Sequence, residues 1–266
     1  MIDRIKQLIA VASGKGGVGK STVASNLALV LAESGATVGL LDGDIYGPSV
    51  PTMFGVKDAK PEMGTTQQSF LPIEALGVKL MSMGFLMPQE EAAIVRGPMV
   101  HSYLKAMLDQ CEWGELDYLV IDLPPGTGDA QLTLCQGTPL TGAVVVTTPQ
   151  DVSLIDARKG LQMFRNLNVP ILGLVENMSF FECPNCQHRT DVFRHGGGKN
   201  IAERLDVPFL GHVPLDPAVV LGGDEGLPVV GRDPESAVAK AFVEVARKVR
   251  EQAAGLQSSQ IPGMTF

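Results

Sequence analysis

A glycine-rich segment with two lysines lies near the start of the chain and fits the phosphate-binding pattern G-x-x-x-x-G-K-[ST]. Its residues in order are Gly14, Lys15, Gly16, Gly17, Val18, Gly19, Lys20, Ser21 and Thr22. Glycines let backbone N–H groups surround a phosphate, and a helix start adds donors and the positive end of its dipole. We expect Lys20 to reach the β- and γ-phosphates and the Ser21 hydroxyl to bind Mg²⁺. The segment therefore predicts a nucleoside triphosphate site.

Acidic residues follow two apolar runs further along the chain. One run ends at Asp42 and Asp44, and another ends at Asp122. The carboxyl ends of parallel strands line the ligand crevice of an α/β sheet, so these carboxylates are candidates to hold Mg²⁺ or orient a water. A turn or a helix cap remains an alternative for either member of the first pair. The proline- and glycine-rich residues 123–129 are expected to form a switch loop that responds to the γ-phosphate.

Two of the four cysteines, Cys183 and Cys186, have the spacing C-x-x-C. Zinc and iron–sulfur sites usually need four ligands, whereas this pair supplies two thiolates. A second chain related by a two-fold axis would complete the set, and His188 is a candidate third ligand within the chain. Redox-active or buried thiols are the alternatives. Cys111 and Cys135 are expected to be buried thiols.

Alternating strands and helices must position these residues. Apolar runs predict strands at residues 8–12, 36–41, 78–83, 117–122, 142–147 and 171–177, with a last strand after residue 207. The first strand precedes the glycine-rich segment and a helix follows it, which disfavours a plain turn. The pattern predicts a single doubly wound α/β P-loop NTPase domain over residues 1–253, with a mostly parallel central sheet flanked by helices. Residues 254–266 are expected to form a loosely ordered tail.

The composition limits the classes of function. The chain of 266 residues has a net charge of −8, which argues against nucleic acid or an anionic membrane as partner. No apolar run approaches the ~18 residues that cross a bilayer. The first residues lack the apolar core of a signal peptide. We therefore expect a cytoplasmic protein whose cysteines are reduced.

Lys15, five positions before Lys20, makes the segment resemble the deviant Walker A loop of the MinD, ParA and nitrogenase iron protein class. In that class the early lysine crosses a dimer interface to the partner's nucleotide. The resemblance therefore implies a homodimer in which Lys15 acts between subunits. It also implies that Asp44 positions the attacking water, so that Lys15, Lys20 and Asp44 form the catalytic set.

The full set of motifs resembles the Mrp/ApbC branch of P-loop ATPases from about residue 5 to 250. The matching segments are residues 14–22, 42–49, 113–118, 122–129, 176–179, 183–186, 196–199 and 213–217. This resemblance implies a weak ATPase that binds ATP or ADP with Mg²⁺ and carries a [4Fe–4S] cluster. The cluster would bridge a homodimer through Cys183 and Cys186 and pass to apo iron–sulfur client proteins. Asn177 and Pro214 match the positions that flank the adenine, although an asparagine at a strand end is also a common turn former.

Other functions share parts of this pattern. A MinD/ParA-like positioning ATPase needs a membrane-binding helix or a basic DNA-binding surface, and the tail after Arg247, Lys248 and Arg250 lacks a basic apolar face. A zinc-bridged, nucleotide-dependent metallochaperone or regulator would use the same cysteine pair. Phosphotransfer to a small substrate would leave the C-x-x-C unexplained. The chain enters its first strand directly, without the N-terminal domain of many bacterial members or the N-terminal cysteines of the eukaryotic scaffolds, so delivery to partners is expected to differ.

Overall fold

The structure, a computed structural model, describes residues 2–86 and 97–259. Its strands are β1 (Ile5–Ser13), β2 (Val38–Asp42), β3 (Ile73–Ala75), β4 (Val78–Ser82), β5 (Leu116–Asp122), β6 (Gly142–Thr147), β7 (Ile171–Glu176), β8 (Phe181–Glu182), β9 (Arg189–Thr190) and β10 (Phe209–His212). Its helices are α1 (Lys20–Glu33), α2 (Val50–Met53), α3 (Gly97–Gln110), α4 (Asp129–Gly137), α5 (Asp151–Asn166), α6 (Gly197–Arg204), α7 (Pro217–Asp224), α8 (Val229–Arg232) and α9 (Ala237–Ser259). The predicted alternation of strands and helices is confirmed.

The described residues contain an eight-stranded sheet with the order β10-β7-β6-β1-β5-β2-β4-β3. Every neighbouring pair is parallel except the edge pair β3 and β4. The strand that carries the glycine-rich segment, β1, lies between β5 and β6. The register opposes Asp122 to both Val11 and Asp42, so the acidic strand ends converge beside the loop. The topology therefore brings the predicted acidic residues to one edge of the sheet.

Apolar side chains fill both faces of the sheet, because parallel strands are covered by helices on each side. On one face, Leu27 of α1 and Phe242 of α9 are almost completely buried. On the other face, Trp113, which precedes β5, and Phe164 of α5 have no exposed surface. Burying a side chain of this size stabilises the fold by roughly 1.5–3 kcal/mol. The two cores fix the sheet that positions the loop.

The C-terminal helix is longer than the sequence predicts. Residues 254–266 were expected to be loosely ordered, yet α9 continues through Ser259, and residues 260–266 lie outside the described part of the chain. Ala253 is buried and Leu256 packs against the same core as Phe242, so the apolar stripe extends past the expected end. This packing outweighs the cost of about 1 kcal/mol for Gly255 in a helix.

A separate two-stranded ribbon carries the C-x-x-C motif. Strands β8 and β9 pair in antiparallel register, with Phe181 opposite Thr190 and Glu182 opposite Arg189. Each strand has 2 residues. We call residues 180–195 the cysteine hairpin; it leaves the sheet after β7 and returns at the start of α6.

Candidate nucleotide site and cysteine pair

The glycine-rich loop is held against the end of β7. Gly19 has φ +80°, and a Cβ there would lie 2.2 Å from Asn177 Nδ2. The same Nδ2 donates a hydrogen bond to the Val18 carbonyl oxygen over 2.9 Å. Only glycine therefore fits both the left-handed backbone and the close approach of the asparagine. The contact places a predicted adenine-flanking residue directly on the loop.

Lys20 and Asp122 form a buried ion pair beneath the loop. Lys20 Nζ lies 2.5 Å from Asp122 Oδ1, and the two side chains are 6% and 0% exposed. The Ser21 hydroxyl lies 3.2 Å from the same nitrogen. These contacts bring together three residues predicted for phosphate and magnesium binding.

The second oxygen of Asp122 is available for a cation. Asp122 Oδ2 is buried and has no hydrogen-bond partner among the described residues. Burial raises the pKa of Asp122 despite the opposing effect of Lys20, and the charge of Asp44 raises it further. A desolvated carboxylate with a free oxygen, beside a serine hydroxyl, suits Mg²⁺ bound directly or through water. The residues present therefore fit the predicted magnesium ion.

The two aspartates after β2 differ in their surroundings. The fully buried Asp42 carboxylate accepts hydrogen bonds from the N–H groups of Asp44 and Val50 and from the Ser82 hydroxyl, each over 3.1 Å. Burial and the nearby Asp122 raise the pKa of Asp42 to about 7. Asp42 thus holds the segment that leads into α2. Asp44 is half-buried and accepts a hydrogen bond from the Gly47 N–H over 3.2 Å, and it lies close enough to Asp122 for its charge to raise the pKa of that carboxylate.

A cavity of about 390 Å³ opens beside α1. Thr22, Asn177 and Pro214 line it together, with Met178 and Leu215 as apolar neighbours. Small-molecule pockets have about this size and combine apolar walls with a few polar groups. The structure therefore brings both predicted adenine-flanking residues into one cavity at the loop. Their contact with a base remains a prediction.

Lys15 and Lys20 contact different parts of the fold. Lys15 Nζ lies 3.5 Å from Gln150 Oε1, just before α5. Both residues line an open groove, which is also lined by Arg194 paired with Asp151 over 2.6 Å. The early lysine is thus placed between the loop and the end of the cysteine hairpin.

The two motif cysteines lie at the tip of the hairpin. Cys183 is half-buried and Cys186 is exposed. The Cys183 N–H donates to the His188 carbonyl over 3.0 Å, and Cys183 accepts at its own carbonyl from Gln187 over 2.8 Å. Backbone N–H groups of Cys186 and Asn185 point at the Cys183 sulfur and lower its pKa. This turn stabilises a thiolate, the form that binds metals.

The other two cysteines, unlike the motif pair, lie in the interior of the protein. Cys111 and Cys135 are buried, as predicted. Burial raises the pKa of each thiol to about 12. Both therefore belong to the core rather than to the motif pair.

A buried acid–histidine cluster at the end of β7 was missed by the sequence reasoning. Glu176 Oε1 lies 2.6 Å from Ser179 Oγ and 3.1 Å from His212 Nδ1, and His195 Nδ1 lies 2.9 Å from Ser179 Oγ. Burial alone would raise the pKa of Glu176, but hydrogen bonds from His212, Ser179 and two backbone N–H groups outweigh it and lower the pKa to about 2. The available signal was a glutamate that ends an otherwise apolar strand.

The fold and the loop together define a P-loop nucleotide-binding protein. The nucleotide-binding protein of Archaeoglobus fulgidus in complex with ADP has a similar structure, with a TM-score of 0.77 and 39% identity over 91% of this chain and 93% of that one. The cell division ATPase MinD of Pyrococcus furiosus gives a TM-score of 0.71 at 25% identity, over 92% and 99% of the two chains. These likenesses confirm the predicted fold class.

The family follows from the sequence comparisons. A model of the ParA group described as NUBPL iron-transfer P-loop NTPase matches residues 4–250. The iron-sulfur cluster carrier protein of Synechocystis is 51% identical over 251 residues, which are 93% of this chain and 71% of that protein. The iron-sulfur cluster transfer protein NUBPL of Dictyostelium discoideum is 48% identical over 94% of this chain and 78% of that protein. This chain belongs to the NUBPL iron-transfer family of P-loop NTPases, which confirms the resemblance.

Among the described residues, no helix has the length and apolar character needed to cross a membrane.

Proposed function

We propose that this protein is an ATP-hydrolysing iron–sulfur cluster carrier. It holds a [4Fe–4S] cluster between two copies of the chain and transfers the cluster to apo iron–sulfur proteins. The observation that carries the proposal is the pair of half-buried Cys183 and exposed Cys186, which lies on a hairpin joined to a P-loop fold. The names of the Synechocystis and Dictyostelium relatives, a cluster carrier and a cluster transfer protein, support it.

The nucleotide half of the proposal uses the residues under the loop. When ATP binds, Lys20 exchanges the Asp122 carboxylate for phosphate oxygens, and Ser21 and Asp122 hold Mg²⁺. The ion neutralises phosphate charge when it is bound. Asp44 orients the attacking water, and Lys15 reaches the nucleotide of a second copy. The ADP held by the related Archaeoglobus protein supports this assignment.

The cluster half uses two chains. One hairpin supplies Cys183 and Cys186, and a second copy supplies the same pair, so a two-fold dimer reaches the four thiolates that a [4Fe–4S] cluster needs. The exposure of Cys186 gives a client protein access to the cargo. Nucleotide state and cluster affinity are then linked, and the linkage acts in both directions.

Anaerobic reconstitution with iron and sulfide tests the proposal. Wild-type protein should gain the brown iron–sulfide absorbance, with iron and sulfide in equal amounts, and it should migrate as a dimer. The Cys183→Ala, Cys186→Ala double variant should bind ATP normally and stay colourless. The Cys135→Ala variant, which alters a buried thiol, is the matched control and should behave as wild type. A double variant that keeps the absorbance would overturn the cluster assignment.

A zinc-bridged dimer is the second candidate, because four thiolates in a tetrahedron also suit Zn²⁺. Metal analysis of protein purified without reconstitution separates the two. Zinc at one ion per dimer, without sulfide and without visible absorbance, favours the regulator or metallochaperone.

A further inference from the structure

A side-chain contact closes the base of the cysteine hairpin. Ser179 precedes the hairpin and His195 ends it, and Ser179 Oγ lies 2.9 Å from His195 Nδ1. The ribbon within has strands of only 2 residues. So short a ribbon is marginal by itself, and its position depends on how its ends are held.

The closing contact is anchored on Glu176. Oε1 of this carboxylate accepts from Ser179 Oγ over 2.6 Å and from the Gly196 N–H over 3.1 Å. Oε2 accepts from the Gly198 N–H over 2.6 Å. Glu176 therefore holds the end of the hairpin and the start of α6 at once.

The acid and the two histidines near Ser179 are residue types that bind metals, but their arrangement is that of a hydrogen-bond network. Glu176, His195 and His212 converge within 4.8 Å of one another. Ser179 Oγ lies 2.6, 2.9 and 3.0 Å from their nearest atoms, which are hydrogen-bond distances. The Ser179 hydroxyl lies between these three side chains. We call the hydrogen-bonded cluster of Glu176, Ser179, His195 and His212 the clasp.

The clasp is continuous with the nucleotide site. Asn177 follows Glu176 in the chain and bonds to the loop at Val18 over 2.9 Å. At the first residue of the hairpin, the Leu215 N–H donates to the Phe180 carbonyl over 2.7 Å. Leu215 also lines the nucleotide cavity. The start of the hairpin is thus fixed to groups that border the nucleotide cavity, and its last residue is held to that start by the contact between His195 and Ser179.

We propose that His195 is a positioning residue which, through Ser179 and Glu176, transmits occupancy of the nucleotide loop to the Cys183–Cys186 pair. The proposal rests on the two-site function above and adds the residues that couple the sites. Because the hairpin is short and exposed, a shift at its base changes how the two sulfurs are presented. Loss of the contact between His195 and Ser179 should remove the effect of nucleotide on the two cysteines. Nucleotide binding and thiol reactivity should themselves be retained.

The reactivity of the two cysteines tests this coupling in protein free of cluster. Ellman's reagent is applied to metal-free protein with and without ATP and Mg²⁺. In wild type, ATP should slow modification of Cys183 and Cys186 about fivefold or more, the lower end of couplings between sites. In His195→Ala this ratio should fall to about one, while the affinity for a fluorescent ATP analogue stays within about twofold of wild type.

Three further variants make the test specific. His195→Asn should restore the ATP effect, because an amide nitrogen can take the place of Nδ1. Ser179→Ala should lose the effect as His195→Ala does. Asn200→Ala, an exposed substitution on α6, should respond as wild type.

Two results would overturn the coupling: an unchanged ATP effect in both His195→Ala and Ser179→Ala, or no ATP effect in wild type. Failure of the proposed function is a separate result, because the thiol assay involves no cluster. Wild-type protein that shows the ATP effect, and loses it in both variants, supports the coupling even if reconstitution yields no iron–sulfide absorbance.

Discussion

The nucleotide loop and the cysteine hairpin are built in opposite ways. The loop lies at the centre of the sheet, and its lysine is paired with a carboxylate that has no exposed surface. The hairpin lies outside the sheet on strands of 2 residues, and Cys186 at its tip is exposed. The charged groups beneath the loop come together within one chain. The hairpin presents two thiols that, among the described residues, belong to no cluster of three or more metal-binding side chains.

This difference indicates where each site can change. A buried charge pair is costly to break, so the loop has one arrangement until a ligand replaces a partner. An exposed hairpin can meet a second chain or a client at low cost. In the proposed function, the nucleotide site would keep one arrangement while the hairpin exchanges a cluster, provided that nucleotide binding shifts the base of the hairpin.

Removal of the buried lysine should have the largest effect. Lys20→Ala leaves the Asp122 carboxylate buried and unpaired, so we expect unfolding free energy to fall by about 3 kcal/mol or more at neutral pH. Nucleotide binding should be lost, as followed by a fluorescent ATP analogue. Thiol titration should still find Cys183 and Cys186 reactive, because the hairpin does not depend on the ion pair. Retained nucleotide affinity would show that Lys20 is not the phosphate ligand.

The four thiols should divide into two classes. Burial raises the pKa of Cys111 to about 12 from an ordinary 9.0, which lowers its thiolate fraction roughly 1,000-fold. Higher intrinsic nucleophilicity returns part of this difference, so we expect Cys111 and Cys135 to react about 100-fold more slowly than Cys183. Mass spectrometry after timed alkylation, with denatured protein as control, measures each rate. Equal rates for all four thiols would contradict the assigned burial.

Replacement of Glu176, the acid of the clasp, should lower the stability of the fold by an intermediate amount that depends on pH. The pKa of Glu176 is lowered to about 2 from an ordinary 4.5, so the ionised group stabilises the fold above about pH 5. That contribution is lost as pH falls through 4.5 toward 2. Glu176→Gln should therefore cost about 2 kcal/mol at neutral pH and progressively less in acid.

Urea unfolding at several pH values measures this difference. The exposed Glu33→Gln is the matched control and should follow wild type throughout. A Glu176→Gln deficit that stays constant down to about pH 3 would exclude the ionised carboxylate as its source.

The sequence predicts the parts of the fold that depend on local pattern. The loop has fixed glycine positions, β1 is apolar from Leu8 to Ala12, and Asp122 ends a similar run, so each element can be predicted from neighbouring residues. The convergence of Asp42 and Asp122 follows from parallel strands alone.

The clasp could not be predicted in this way. Glu176 and His195 belong to different elements and meet only because the hairpin folds back on the end of β7. A histidine beside glycines has no local signature for such a contact. Asp42 was similarly ambiguous, because its hydrogen bonds to Val50 and Ser82 depend on the path of the chain after β2. Tertiary contacts decide these roles.

Replacement of Lys15 should have the smallest effect on the stability and nucleotide affinity of a single chain. It should have a large effect on dimer formation. Lys15 Nζ is 3.5 Å from Gln150 Oε1, a weak contact, so Lys15→Ala should change stability and nucleotide affinity by less than about 1 kcal/mol. If Lys15 reaches the nucleotide of a second copy, the same variant should not dimerise with ATP and Mg²⁺. Sedimentation velocity measures the dimer, and the exposed Lys57→Ala is the control.

The outcome decides how the two regions communicate. Loss of the dimer at unchanged affinity places Lys15 at the interface, and the hairpins then meet only when nucleotide is bound. A Lys15→Ala protein that dimerises as wild type does would remove the lysine from the interface. The cysteine pairs of two copies would then have to be brought together by contacts between the hairpins themselves. The coupling proposed through His195 would remain as the way in which nucleotide binding affects the cysteine pair.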